Sequence, residues 1–315
     1  MSVVLVLLVI SILTERQPTP LQPPIPFGSQ FFLGFELAPE RRLGNAMFTF
    51  ASAVGIAVHN NMTLIVDRFS PLVNTFRITE LTVNDVDNAL RMSLVVRYYE
   101  HERRACTYDA ATRHLLKSVG QTQLRSNVRL CCYFQSWRYF DEVADRIRQN
   151  FRFQEPIAAA ADAFFASKSE RWNTTRVGVH VRRGDMVDAY SGGYTVAPPN
   201  YFRSAMRYFT ERYHHVEFIV CSDDITWSQN NLPAAIDAAS TAEIKFSYTN
   251  SPALDLAILA RCEHVIMSVG TFGWWGAWLA NGTTIYYADW PRPSSWLDSQ
   301  VNKSDYFPPH WIPMR

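Results

Sequence analysis

The sequence predicts an α/β fold built from two doubly wound, Rossmann-like halves, and three observations predict it. From residue 28 onward, short β-branched or aromatic runs alternate with longer segments of helical period. The runs are apolar through most of their length, as strands buried on both faces are, and such strands belong to parallel sheets covered by helices. A composition change at Gln154-Glu155-Pro156, just before an Ala-rich helical segment, divides the series in two.

Before the division, strands are expected at Phe31–Glu36, Met62–Asp67 and Val128–Phe134. The first helix is expected at Asn45–Val58, entered through Gly44 as a tight turn and Asn45 as its N-cap. Helical period also marks Tyr139–Asn150. After the division the strands are Arg176–Arg182, Val216–Cys221, Glu243–Phe246, His264–Ser268 and Thr283–Tyr287, with helices at Ile157–Ser167, Asn200–Tyr213 and Ala253–Arg261. The halves are then residues 28–155 and 156–315. Ligands of such sheets bind outside the carboxyl ends of the strands, so chemistry is expected where strands stop.

Composition narrows the function classes. With 30 Lys+Arg against 29 Asp+Glu among 315 residues, the net charge is +1. That leaves no bulk field for a polyanion, so no nucleic-acid partner is expected. At 48% hydrophobic and 19% charged the chain is not disordered over most of its length. Aromatics reach 14%, including nine Trp, which fill cores and can also stack on sugars.

Residues 1–27 form a separate unit. Val3 to Leu13 is an apolar run, followed by Thr14-Glu15-Arg16 and five prolines between Pro18 and Pro26. A membrane span takes about 20 apolar residues, so this run has the length of a signal-peptide core or a short signal anchor. No small-residue cleavage site follows it, which favours an uncleaved anchor with a Pro-rich stem and the rest of the chain in a secretory lumen. Acceptor sequons begin at Asn61, Asn173, Asn281 and Asn302, in keeping with that compartment. The five cysteines, Cys106, Cys131, Cys132, Cys221 and Cys262, contain no C-x-x-C pair, so a structural zinc site is not expected.

Three stretches carry chemistry. Gly178-Val-His-Val-Arg-Arg-Gly-Asp185 is an apolar strand ending in two guanidiniums, a glycine and a carboxylate. Arginine's planar fork binds phosphate oxygens bidentately, so Arg182 and Arg183 together can neutralise a diphosphate without a metal. The competing reading is a surface pair salt-bridged to Asp185. His264-Val-Ile-Met-Ser-Val-Gly-Thr-Phe-Gly-Trp-Trp-Gly276 runs from a buried strand through a small-residue turn into a helix. Backbone N–H groups and the Thr271 hydroxyl there form an anion site, unless Ser268 and Thr271 are ordinary N-caps. Trp274, Trp275 and Trp278 read as core. Ser251-Pro-Ala-Leu-Asp255 sets one carboxylate early in an apolar helix, where it complements the helix dipole or accepts from a base or ribose edge. Cys221-Ser-Asp-Asp224 also closes a strand and reads as a helix cap.

At His180-Val-Arg-Arg-Gly-Asp185 together with Ser268-Val-Gly-Thr-Phe-Gly273, the chain resembles the galactoside α-1,2-fucosyltransferases, glycosyltransferase family 11. Arg42-Leu-Gly-Asn45-x-Met47, Phe76-Arg-Ile-Thr79, Tyr133-Phe-Gln-Ser-Trp137, Ser251-Pro-x-x-Asp255 and Thr284-Ile-Tyr286 extend the resemblance from about Phe31 to about Trp290. It implies a GT-B fold, two halves facing a cleft, in a single-pass type II Golgi membrane protein. It also implies metal-independent, inverting transfer of fucose from GDP-β-L-fucose to the 2-hydroxyl of a terminal β-galactose on a glycan acceptor. By matching positions, Arg182 and Arg183 bind pyrophosphate, with Arg183 preferred for the β-phosphate; Asp255 reads guanine, Thr271 hydrogen-bonds phosphate, and His180, Asp185 and Ser268 support the site. The family's turn usually reads G-N-Q-M, and Ala46 here removes that amide.

Asp85-Val-Asp87 has the spacing by which metal-dependent glycosyltransferases hold a nucleotide-bound cation. It lies in a polar stretch and reads as a solvated turn, so no metal is expected. Asp185 and Asp188 are the carboxylates nearest the arginines, and either can take the acceptor's proton. Two rivals stand beside this reading: transfer to another acceptor, a peptide or core glycan, and a catalytically silent lumenal protein that binds glycan.

Overall fold

The computed structural model describes residues 31–35, 42–83, 96–99, 105–115, 127–166, 174–236 and 241–315. Strands β1 (Phe32–Phe35), β2 (Thr63–Asp67), β3 (Leu81–Val83), β4 (Val96–Tyr99) and β5 (Asn127–Leu130) form one sheet in the order β3-β2-β1-β5-β4. A second sheet holds β6 (Thr175–Val181), β7 (Val216–Ser222), β8 (Glu243–Phe246), β9 (His264–Met267), β10 (Thr284–Tyr287) and β11 (Ile312–Met314), ordered β11-β10-β9-β6-β7-β8. Every pairing is parallel. Counted from its own first strand, the second sheet runs 3-2-1-4-5-6, the order of dinucleotide-binding sheets, and reverses between β6 and β9. The first sheet reverses between β1 and β5.

The helices that matter for the site are α1 (Leu43–His59), α2 (Ala144–Asn150), α3 (Glu155–Ala166), α4 (Gly184–Asp188), α5 (Pro199–Thr210), α6 (Ile225–Asn231), α7 (Pro252–Leu259) and α8 (Thr271–Ala280). A helix apolar on all sides is a core helix, and α1 is buried almost continuously from Gly44 to Ala57. α8 is the same kind of element, with Trp274 and Trp275 fully buried. The two meet: the Phe48 ring lies 4.5 Å from that of Trp274 and 5.1 Å from that of Trp275. Phe140 stacks on Trp275 at 5.5 Å. Such ring pairs add about 0.5–1.5 kcal/mol each beyond their burial. Both indole N–H groups find acceptors, Trp275 at Gly44 O (3.1 Å) and Trp274 at Tyr306 O (2.9 Å). One buried cluster therefore runs through both halves, and it holds the start of α1 against the start of α8.

Several elements differ from the sequence reading. β5 stops at Leu130 because Cys132 and Phe134 adopt φ of 75° and 49°, which a strand cannot continue through. The helix expected from Tyr139 begins only at Ala144, after two 3₁₀ turns, since Phe140 and Val143 leave the helical region at φ −130° and −118°. α1 starts two residues before Asn45, with Arg42 as its N-cap. β3, β4 and β11 are edge strands of three or four residues that the sequence reading does not include. Residues 3–13, Asp85, Asp87 and Asn173 lie outside the described residues. Among those described, no helix is long and apolar enough to cross a membrane.

Candidate active site at the carboxyl edge of the second sheet

β6 and β9 end side by side at the reversal of the second sheet, and the polar residues that leave them are locked to one another. The Ser268 hydroxyl accepts the Arg182 N–H at 2.8 Å, and the Ser268 N–H donates to His180 O at 3.1 Å. Ser268 is therefore a bridge between the two strand ends and caps no helix. His180 is 4% exposed, its Nδ1 3.4 Å from the Ser268 hydroxyl. Burial pushes its imidazole down to about 4, so it is neutral at physiological pH and packs beneath the site, against Phe272.

The two arginines are held differently. Arg182 forks onto Asp223, 2.7 Å away, and onto Asp185 in the first turn of α4. Arg183 donates its Nε to Asp224 at 3.2 Å and lies over the Trp227 ring with its central carbon 4.1 Å from the centroid. No partner reaches its two terminal amino groups among the described residues. The Arg183 N–H donates to Asp223 at 2.8 Å, so one carboxylate fixes the main chain of one arginine and the side chain of the other. Asp224 caps α6 through the Trp227 N–H, at 3.0 Å, the role its place at a strand end predicts.

The first half supplies the opposite wall. Arg42 reaches across to Asp185, Nη2 to Oδ2 2.9 Å. Asp185 thus sits between guanidiniums from both halves. Asp188, at the end of α4, is exposed, and its side chain caps nothing. The Thr271 hydroxyl donates to Asn45 Oδ1 at 2.7 Å, and the Gln135 amide donates to the same oxygen at 3.0 Å. Neither Asn45 nor Thr271 is a cap. α8 begins instead at Gly270, whose φ of 88° suits glycine, and no side chain caps its first turn. The N-termini of α1 and α8 converge so closely that a Cβ on Gly44 would lie 2.7 Å from Phe272 N. Two helix dipoles therefore present their positive ends beside the arginine pair.

Asp255 stands in the first turn of α7, on the same edge of the sheet. Ser247 and Thr249 donate hydroxyls to its Oδ1 at 2.6 and 2.8 Å, which leaves Oδ2 to accept from a ligand. Of the sequon asparagines, Asn61, Asn281 and Asn302 are exposed; Asn281 also accepts from Arg148 at 2.8 Å, and Asn302 caps the short helix Lys303–Tyr306. No group of three or more His, Cys, Asp or Glu among the described residues is placed to hold a metal ion.

The sequence reading did not single out Arg42, Asp223, Trp227 or Gln135 as site residues. Asp223 carried a signal, a second carboxylate at a strand end. The other three act through contacts between segments far apart in the chain.

This architecture is that of GT-B-type sugar-nucleotide enzymes. Over 80% of its length the chain superposes on 92% of NodZ α-1,6-fucosyltransferase, solved after soaking with GDP-fucose, at a TM-score of 0.51 and 17% identity. Over 81% it superposes on 98% of POFUT1 in complex with GDP, at a TM-score of 0.54 and 12% identity. These likenesses define the fold. The model of glycosyl transferase family 11 matches residues 27–315, and the chain belongs to that family. It is similar to galactoside α-(1,2)-fucosyltransferase 2 of Sus scrofa, 31% identical over 86% of this chain and 77% of the relative. It is also similar to galactoside 2-α-L-fucosyltransferase SEC1 of Bos taurus, 29% identical over 88% and 73%.

Proposed function

We propose that the protein is an inverting galactoside 2-α-L-fucosyltransferase that moves L-fucose from GDP-β-L-fucose to the 2-hydroxyl of a terminal β-galactose. The observation that carries this is the convergence of Arg182, Arg183, Thr271 and Asp255 on one sheet edge, beside two helix N-termini, in a chain of family 11. A diphosphate needs positive charge that is fixed before it arrives: the open terminal amino groups of Arg183 and the two dipoles supply it directly, while Arg182, held by Asp223 and Asp185, must exchange a carboxylate for phosphate to join them.

The galactose O2 attacks the anomeric carbon of fucose as the bond from that carbon to the β-phosphate oxygen breaks. GDP leaves with the electron pair, and the hydroxyl proton passes to a base. Charge grows on the β-phosphate, where the terminal amino groups of Arg183 are open to it and the Trp227 ring under the guanidinium helps hold it in place. Preorganised donors of this kind contribute about 2.7–4 kcal/mol each to the transition state. Asp255 Oδ2 accepts from guanine, and because the Thr271 hydroxyl proton is held by Asn45, the open backbone N–H groups at the start of α8 donate toward phosphate. Asp185 has both oxygens committed to Arg42 and Arg182, so we assign it to holding the arginines. Asp223 and Asp224 are likewise taken up by the arginines and by the α6 cap, whereas Asp188, at the end of α4, keeps its oxygens available and is our choice of proton acceptor; Asp188→Asn should lower kcat while leaving GDP affinity unchanged.

We place the catalytic part in the Golgi lumen, anchored as a single-pass type II protein through residues 3–13, on the apolar run and the exposed sequons. The deciding experiment is incubation of the chain from residue 27 onward with GDP-fucose and a lactose-type acceptor, followed by linkage analysis of the product. An α-1,2 linkage on galactose is expected, and EDTA should not change the rate. Transfer only to a peptide or core-glycan acceptor would overturn the acceptor assignment.

A further inference from the structure

The motif Tyr133-Phe-Gln-Ser-Trp137 enters none of these steps, yet the fold sets it at the reversal of the other sheet. We propose that the turn Cys131–Ser136 is the galactose subsite, with the Tyr133 ring as the platform on which the apolar face of the terminal sugar stacks. This rests on the fucosyl-transfer reading above.

Topology supports it first. The turn leaves the carboxyl end of β5 beside β1, where the order of the first sheet changes direction, the place such sheets bind ligands. Tethering comes second. The Thr49 hydroxyl of α1 lies 3.2 and 3.4 Å from the carbonyl oxygens of Cys132 and Tyr133, and Ser52 donates to Phe134 O at 2.9 Å. From the far side the Ser136 hydroxyl donates to Asp305 O at 2.7 Å.

The backbone is the third observation. Cys132 and Phe134 both hold left-handed conformations, φ 75° and 49°. Residues other than glycine keep such angles only where the surroundings impose them, and they gather at binding sites. Their effect here is to bury Phe134 completely and turn Tyr133 outward, 40% exposed.

Position is the fourth. Gln135 binds Asn45, and Asn45 accepts from Thr271, so the turn abuts the first turn of α8 where phosphate is expected. Tyr194, partly buried, has its phenol raised first by burial and then by electrostatic coupling to Cys106, Tyr133 and Asp185. A sugar resting on Tyr133 would therefore lie beside the Gln135–Asn45 amides, next to the first turn of α8. β-Galactose has an apolar patch of ring C–H bonds on one face, which a rigid aromatic ring covers with little loss of side-chain freedom. Holding that ring still is what brings a 2-hydroxyl into attacking position.

The test uses the full chain with GDP present and methyl β-galactoside as probe, read by saturation-transfer NMR, alongside transfer kinetics. Tyr133→Ala should abolish saturation of the galactoside and raise the acceptor KM about tenfold, with the GDP-fucose KM within about twofold of the parent. Tyr133→Phe, which keeps the ring, should stay within about twofold in both. An unchanged galactoside signal and acceptor KM in Tyr133→Ala overturns the subsite and leaves the transfer reading standing. Equal losses in both variants also overturn it, because they put the effect in the hydroxyl and not the ring, and so does a parallel loss of GDP binding, which marks a structural role. Tyr133-dependent galactoside binding in a parent that transfers no fucose supports the subsite and sinks the transfer reading instead.

Discussion

Arg42 and Asp185 meet across the two halves of the molecule, Nη2 to Oδ2 2.9 Å, while the other oxygen of Asp185 takes Arg182. The Arg42 side chain is 62% exposed, so the pair contributes little to stability, about 0–1 kcal/mol. Its importance is positional: it ties the start of α1 to the helix that follows the arginines. Arg42→Ala should leave the unfolding midpoint almost unmoved and lower kcat/KM for GDP-fucose about tenfold. A loss of stability with normal kinetics would contradict this.

Gly44 sits where α1 and α8 converge. A Cβ there would come within 2.7 Å of Phe272 N, the Thr271 carbonyl carbon and the Thr271 hydroxyl. Backbone atoms cannot step aside, so Gly44→Ala should cost about 1–3 kcal/mol of stability and part the two helix starts. Thermal unfolding together with the GDP-fucose KM checks it: both should worsen, and an unchanged KM would detach this contact from the phosphate site.

Asp255 presents one oxygen and anchors the other on Ser247 and Thr249. Asp255→Asn removes the charge that would receive the base. A hydrogen bond to a charged group is worth about 1.5–3 kcal/mol, so the KM for GDP-fucose should rise roughly 10- to 100-fold. Calorimetry with GDP and with UDP should show the preference for guanine shrinking in the variant.

His180 gives the fold an acid sensitivity. In the unfolded chain it titrates near 6.5, and in the folded protein burial lowers it to about 4. Between those values the unfolded state binds the extra proton. The contribution is therefore complete above about pH 6.5 and is lost as pH falls toward 4, by about 3 kcal/mol in all and about 2 kcal/mol at pH 5. Urea unfolding at pH 7 and 5 should show the parent losing about 2 kcal/mol more than His180→Asn. Equal losses would mean that His180 is protonated without cost.

What could be read from the chain follows from what is local in it. The β6 segment is apolar to its end and then abruptly charged, so both the strand and the charged cluster at its terminus are legible in Gly178 to Asp185. The same holds for β9 and the small-residue turn from Ser268. Asn45 shows where such reading stops. Its type suits a helix cap, but its oxygen is spent on Thr271, 226 positions away, and on Gln135, 90 away. Nothing near Asn45 in sequence reports either partner. The left-handed residues Cys132 and Phe134 escaped for a similar reason, since tethers from Thr49 and Ser52 impose an angle that neither residue type prefers.

The proposed reaction depends on charge held ready for a departing nucleotide, and Arg183 carries the part of it that no carboxylate among the described residues caps at its terminal amino groups. Steady-state turnover of GDP-fucose by Arg183→Ala, with GDP affinity and unfolding measured on the same protein, is the most direct measurement. A fall in kcat of about 10²–10³ in a folded protein is the predicted result. Turnover within a few-fold of the parent would show that the leaving diphosphate is stabilised elsewhere.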